Sequence, residues 1–400
     1  MLGYNVINFM ISFSEALNRI ETVKSSITKT KVSVDSSLNK ILAEDIISPI
    51  NMPPFRQSAM DGYAIKYTNS DTYELVDESK AGDGKFIELK KGQAARIFTG
   101  ALVPDDADTV VIQEHVTKTN NSISITKQPA KLDNVRPIGE QVKKGDVVLK
   151  KGLKLNAAAI GFLAGIGVNE ISVYKTPKVS VVITGNELQE SGQKLEDGKI
   201  YESNSFMLSA ALSNLGISDI TILKTKDSFE ETKNTISKAL ENSNIVLISG
   251  GISVGDYDFV QEALKANGVK ELFYRVNQKP GKPLWFGLKK DQFVFGLPGN
   301  PASALSCFYI YVTPLLNKIS GSKSIHLPRI NARSLSAYKN TTGKTLFLKG
   351  KLIGSKVEIL NGQQSSMLHS FASSNVLVRI PNDTELVNKN DEVECIILNT

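Results

Sequence analysis

The 400 residues exceed one ordinary core, so roughly two to four domains are expected, and 41% hydrophobic with 22% charged residues describes a globular chain. Lys and Arg number 47 against 41 Asp and Glu, and this net charge of +6 is spread without a dense basic block, which argues against nucleic acid as a partner. Two cysteines, three scattered histidines, no charged leader and no apolar run of ~18 residues exclude a disulfide framework, a Cys/His metal site, a signal peptide and a membrane span, and point to the cytosol.

Residues ahead of Met10 read as an extension before an internal start. Ser12-Phe-Ser-Glu15 has the form of a capping box, with Ser12 as N-cap and Glu15 reaching back, and Phe13, Ala16, Leu17, Ile20 and Val23 follow at helical spacing. Ile46 to Phe55 holds Pro49, Pro53 and Pro54, so it is a non-helical linker. Ser58-Ala-Met-Asp-Gly-Tyr63 makes a tight turn. From Tyr63 to Ile125 come short β-rich runs, at Tyr73–Val76, Gln93–Phe98, Thr109–Gln113 and Ser122–Thr126, without a helix: a small all-β module. A helix is expected over Ala157–Ala164 and a strand over Glu170–Tyr174.

Beyond Pro177 the pattern alternates. Strands at Val179–Thr184, Ile220–Lys224 and Asn244–Ile248 are interleaved with helices at Ser205–Leu215, Phe229–Leu240 and Phe259–Ala266, which predicts a parallel, doubly wound sheet. A last helix runs from Pro301 to Ile319. From Leu327 the pattern is β again, with runs at Ile330–Arg333, Thr345–Lys349, Lys356–Leu360, Asn375–Ile380 and Glu392–Ile397. About five strands in ~75 residues fit a small barrel.

Three glycine-rich turns follow apolar runs in the α/β region. They are Ser249-Gly-Gly-Ile-Ser-Val-Gly-Asp256, Lys279-Pro-Gly-Lys-Pro283 and Gly296-Leu-Pro-Gly-Asn-Pro301. Such turns present backbone N–H groups to one point, where an anion fits. Ligands of open α/β sheets sit beyond the carboxyl ends of the strands, so the three turns should share one cleft. Ser249, Gly250, Gly251, Ser253 and Gly255 allow close backbone approach, and Ser253 adds a hydroxyl donor. Lys279 and Lys282, stiffened by Pro280 and Pro283, suit an anion of high charge. Asp256 and Asp258 beside a phosphate turn make sense if Mg²⁺ bridges them, with helix capping by Asp256 as the alternative. Glu187 and Asp227 end neighbouring strands and complete a set of four acids able to hold metal and activate water; for Asp227, ahead of Ser228-Phe-Glu230, a structural cap competes.

These pieces, in this order, resemble the molybdopterin molybdotransferase family known as MoeA, which includes the gephyrin E domains. The resemblance rests on Pro53-Pro-Phe with Ser58-Ala-Met-Asp-Gly-Tyr63, Arg96-Ile-Phe-Thr-Gly100, Thr184-Gly-Asn-Glu-Leu188 and the three glycine turns, and spans roughly residues 10 to 400. It implies a multidomain α/β and β fold. Its parts are an elongated central region (10–55 and 134–176), an inserted β lid (56–133), a doubly wound pterin-binding unit like those of MoaB and Mog (177–322) and a C-terminal β barrel (323–400). It implies a homodimer whose cleft lies between the α/β unit of one subunit and the lid of the other. The implied reaction inserts molybdate into adenylylated molybdopterin, releasing AMP, with Mg²⁺ required.

In that scheme the glycine turns, including Pro298, Gly299 and Asn300, hold pterin and pyrophosphate; Lys279 and Lys282 neutralise phosphate or molybdate; and Glu187, Asp227, Asp256 and Asp258 place Mg²⁺. Asp61 and Arg96 belong to lid motifs, and Arg136 to an Arg-x-x-Gly-Glu motif ending at Glu140. Ser365, Ser366 and Arg333 are the barrel's candidate anion contacts. Arg56 and Gln141 depart from bacterial relatives, which tend to carry Asp at both positions. A molybdopterin adenylyltransferase shares the α/β unit but lacks lid and barrel, and a non-catalytic scaffold needs neither the acids nor the lysine pair. Contact with the adenylyltransferase is also implied.

Overall fold

A computed structural model describes residues 10–252 and 259–398 of the chain. It divides into two compact units: Met1–Thr30 with Asn39–Ala43 and Ser172–Thr400, and Lys31–Leu38 with Glu44–Ile171.

In the second unit the β-rich runs form a six-stranded sheet. Its order is Thr109–Ile112, Gly62–Ile65, Gln93–Ile97, Thr72–Ser79, Ser122–Ile125 and Val116–Lys118, antiparallel except between Thr72–Ser79 and Gln93–Ile97. Alternation along the strands splits the core: Ala64, Ala95, Ile97 and Val110 pack on one face, Tyr63, Ile65, Tyr73, Val111 and Ile123 on the other. Gly62–Ile65, second in the sheet, is a strand where the sequence suggested a turn leading into the module. Gly62 permits this, because a Cβ there would lie 2.0 Å from the Val111 carbonyl oxygen. Helix α2 (Ala157–Gly165) is capped by Asn156, whose Oδ1 accepts from the Ala159 N–H at 2.9 Å.

In the first unit, helix α1 (Phe13–Thr22) starts as expected, with Ser12 Oγ accepting from the Glu15 N–H at 3.1 Å. The reciprocal half of the box is absent: the Glu15 carboxylate pairs with Arg19, one helical turn on. The α/β region carries a six-stranded sheet in the order Ile220–Thr225, Val179–Thr184, Ile245–Ser249, Gln292–Leu297, Trp285–Lys289, Lys270–Tyr274. The first four strands are parallel. Trp285–Lys289 runs antiparallel to both neighbours, which corrects the all-parallel expectation. The cause is local: Lys290, at φ +54°, and Asp291 close a tight hairpin into Gln292.

Helix α3 (Asn204–Asn214) packs with α1 on one face of this sheet, and α4 (Phe229–Asn242) with α5 (Val260–Ala266) on the other. Val181, Ile183, Leu247 and Phe295 face the first set, and Val182, Val246, Ile248 and Val294 the second. The expected single helix at 301–319 is three pieces: α6 (Pro301–Cys307), one π turn (Phe308–Val312) and α7 (Thr313–Ile319). The C-terminal strands close into a five-stranded barrel. Thr345–Ile353 pairs with Lys356–Ile359, then Arg329–Ser334, Glu392–Ile397 and Val376–Ile380 follow, and the last returns to Thr345–Ile353.

Phe286 is fully buried and its ring lies 4.6 Å from that of Phe295. Phe286→Ala should cost about 3–5 kcal/mol. Trp285, the single tryptophan, is 2% exposed and reports on this region alone, so the loss should appear as a lower denaturant midpoint of its fluorescence transition. Burial pushes the Cys307 thiol up to about 12 and the Cys395 thiol up to about 11. A disulfide reagent at pH 8 should therefore react with neither thiol in the folded protein and with both after unfolding.

Candidate active site

All three glycine turns lie at the carboxyl edge of the α/β sheet, following strands that end at Ser249, Tyr274 and Leu297. Gly250 follows the first strand at φ +99°, and a Cβ there would stand 2.4 Å from the Thr184 carbonyl oxygen, so only glycine lets the two strand ends approach. Asn204, at the start of α3, ties two turns together. Its amide nitrogen donates to Ser249 Oγ and to the Gly299 carbonyl, both at 2.8 Å.

On the neighbouring strand end, the Thr184 hydroxyl and the Asn186 N–H donate to the two oxygens of Asp227, the latter at 2.9 Å. Ser228, not Asp227, caps α4. Asp227 therefore fixes the Thr184-Gly-Asn-Glu turn, and each of its oxygens keeps a lone pair.

A cavity of about 650 Å³ opens here, lined by Glu187, Asp227, Ser249, Gly250, Gly251, Pro298, Gly299 and Asn300, with Asn204, Glu202 and Ser366. Its charged lining is acidic: Glu187, Glu202 and Asp227, with no Lys or Arg among the described residues. Glu202 is itself engaged, accepting from the Ser205 N–H at 2.8 Å and from its hydroxyl.

Lys279 and Lys282 line a second cavity, of about 800 Å³, between the middle turn and the barrel. It also contains Lys339, Lys344 and Ser365, and no carboxylate among the described residues. Pro283, Pro298 and Asn300 line both spaces. The space bordered by the three turns thus has two adjoining parts, one lined by carboxylates and the other by lysines among the described residues. Of the barrel candidates, Ser366 borders the acidic cavity, Ser365 the basic one, where it accepts from Asn300 at 2.9 Å, and Arg333 borders neither.

Ser253, Gly255, Asp256 and Asp258 lie outside the described residues. Among the described ones, no three Asp, Glu, His or Cys side chains form a ready-made metal cage. Glu187 and Asp227 nonetheless suit Mg²⁺, which is commonly held by one or two carboxylates together with phosphate oxygens and water.

Asp61, Arg96 and Arg136 belong to the other unit. Hydrogen bonds from the Thr99 hydroxyl and N–H, both 2.7 Å, hold the Asp61 carboxyl below its usual range. Arg96 lies over the rings of Phe98 and Tyr63, at 4.7 and 5.1 Å, and donates to Gln113 at 2.7 Å. Arg136 is exposed on a short pairing with Gln57. Arg56, the departure from acidic relatives, donates to the carbonyls of Ala107 and Pro104 at 2.8 and 2.7 Å.

Three family models match the chain. They are the MoeA N-terminal region (domain I and II) over residues 11–167, a probable molybdopterin binding domain over 180–318, and the MoeA C-terminal region (domain IV) over 331–398. A molybdopterin molybdenumtransferase from Staphylococcus epidermidis is 32% identical over 399 residues, covering 97% of this chain and 95% of its own. One from Haemophilus influenzae is 36% identical over 357 residues, covering 87% and 88%. A crystal structure of a molybdopterin biosynthesis MoeA protein from Pyrococcus horikoshii superposes with a TM-score of 0.81 at 28% identity, over 97% of this chain and all of that one. These matches bear out the multidomain α/β and β fold and the reading as a transferase: the chain belongs to the MoeA, or molybdopterin molybdenumtransferase, family of molybdenum cofactor biosynthesis.

Proposed function

We propose that this chain inserts molybdate into adenylylated molybdopterin and releases AMP in a Mg²⁺-dependent step. The observation that carries the reading is the division of charge across Pro283, Pro298 and Asn300: among the described residues, carboxylates without cations line one side and four lysines without carboxylates the other. A reaction that cleaves a phosphoanhydride with the help of a divalent cation and also takes up a free dianion calls for both environments side by side.

On this reading the pyrophosphate lies in the acidic cavity against Gly250, Gly251 and Gly299, where bare backbone admits phosphate oxygens closely. Glu187 and Asp227 would hold Mg²⁺ there, joined by Asp256 and Asp258 on sequence grounds, and the bound cation would offset charge on the bridging phosphate oxygens. Thr184 and Asn186 orient Asp227. Lys279 and Lys282 would draw molybdate into the basic cavity as point charges. The dithiolene sulfurs that take molybdenum belong to the ligand, so the chain needs no thiolate. Asp61, Arg96 and Arg136 as ligand contacts, a cytosolic homodimer and delivery of substrate by an adenylyltransferase complete the proposal; these rest on family resemblance.

With adenylylated molybdopterin and Mg²⁺, AMP release should require molybdate. ATP consumption with free molybdopterin would indicate adenylyl transfer instead, and binding without turnover a scaffold. Asp258→Ala should leave ligand binding near that of the parent while cutting AMP release about a hundredfold or more; unchanged release would remove Asp258 from the metal site.

A further inference from the structure

We propose that Gln278, anchored by Tyr311 of the π turn, is a positioning residue that holds the Lys279-Pro-Gly-Lys282 turn against the basic cavity. The inference rests on the reading above, in which these lysines receive the oxyanion.

Gln278 is completely buried, although a primary amide in such surroundings is costly unless its groups are bonded. Its oxygen accepts from the Tyr311 hydroxyl, itself fully buried, and its nitrogen donates to the Gly281 carbonyl at 3.1 Å, inside the turn. The Cys307 sulfur lies 3.6 Å from the same nitrogen and 3.8 Å from the same carbonyl. Gly281 has φ +84°, and a Cβ there would come 2.4 Å from that sulfur, so the turn rests directly on the helix. The Val276 N–H donates to the Lys282 carbonyl at 3.0 Å and closes the loop from its other end.

Tyr311 sits within the π turn, whose wider winding shifts the helix face presented after Cys307. The Thr313 hydroxyl donates to the Phe308 carbonyl at 3.1 Å, occupying an acceptor at the start of that turn. Neither Lys279 nor Lys282 forms an ion pair with a described residue, and both are carried on the backbone turn that Gln278 braces. A buried, fully bonded amide fixes a loop more rigidly than apolar packing does.

The test uses Gln278→Met, of similar length without the hydrogen bonds, and Tyr311→Phe, which removes only the anchor. Both should keep the Trp285 fluorescence transition cooperative and raise amide exchange at Gly281 and Lys282. The molybdate concentration for half-maximal AMP release should rise about fivefold to about a hundredfold, while turnover at saturating molybdate stays within about twofold. Adding Gln278→Met to a variant that already carries both Lys279→Ala and Lys282→Ala should give no further rise. If the lysine substitutions raise the half-saturation and neither Gln278→Met nor Tyr311→Phe does, or if Gln278→Met raises it further in the absence of both lysines, the brace is refuted. If Lys279→Ala and Lys282→Ala leave half-saturation unchanged, the oxyanion reading fails, and the brace, as a functional device, fails with it.

Discussion

The segment between Tyr274 and Trp285 must satisfy three neighbours at once, and the site depends on its doing so. Beside α1, the Ile11 N–H donates to the Arg275 carbonyl at 3.2 Å and the Asn277 N–H to the Ile11 carbonyl at 2.8 Å. Gln278 and Lys279 form a parallel pairing with Thr345 and Leu346 of the barrel. At its ends the segment continues two strands of the α/β sheet. A buried backbone group left unpaired is unfavourable, so these bonds set where the chain can go. Arg275 takes the left-handed conformation, φ +66°, at a cost of about 1–2 kcal/mol that the surrounding bonds impose. Phe13 of α1 reaches into the same junction, its ring 5.2 Å from Phe347 and 6.2 Å from Tyr311. Sheet, first helix and barrel are therefore one mechanical body around the lysine turn.

That construction explains how opposite charges coexist in adjoining cavities. Lysines and carboxylates free to meet would pair and neutralise one another, leaving neither cation nor anion site. Pro283 and Pro298 stand at the boundary, with little freedom to rearrange, and Asn300 is held by Ser365. On the acidic side Thr184 and Asn186, both neutral donors, hold the two oxygens of Asp227 in place. On the basic side the main-chain bonds of the turn fix its backbone, and Lys279 and Lys282 form no ion pair with a described residue.

Much of this was legible where composition and period agree. Val179–Thr184, rich in Val and Ile and bounded by Pro177 and Gly185, has the predicted limits, and the five barrel strands fall where turn residues bracket them. Trp285–Lys289 was not legible, because Gly287 reads as a strand breaker. Its actual reason is proximity: a Cβ would lie 2.4 Å from the Lys270 carbonyl oxygen. The π turn left no mark in Phe308–Val312, an apolar stretch compatible with a continuous helix. Asn204 carries no local signal of its role, since its two partners are 45 and 95 positions away. The destination of Lys279 and Lys282 depends on where the barrel docks, which no local pattern encodes.

The position of Cys307 bears on the chemistry by what it avoids. A molybdenum insertase must release its metal to the dithiolene of its own ligand, and a protein thiolate within reach would compete as a soft donor. Cys307 lies directly beneath the lysine turn, yet it is fully buried, its proton held up to about 12, and its sulfur faces Gln278 and the Gly281 carbonyl. The cavity above offers ammonium and amide N–H groups, which have no lone pair to give a metal and, on the proposed reading, would attract an oxyanion by charge and release it with no coordinate bond to break. On the proposed reading, a buried sulfur that packs without ligating beneath the lysine turn suits a site that passes molybdenum on.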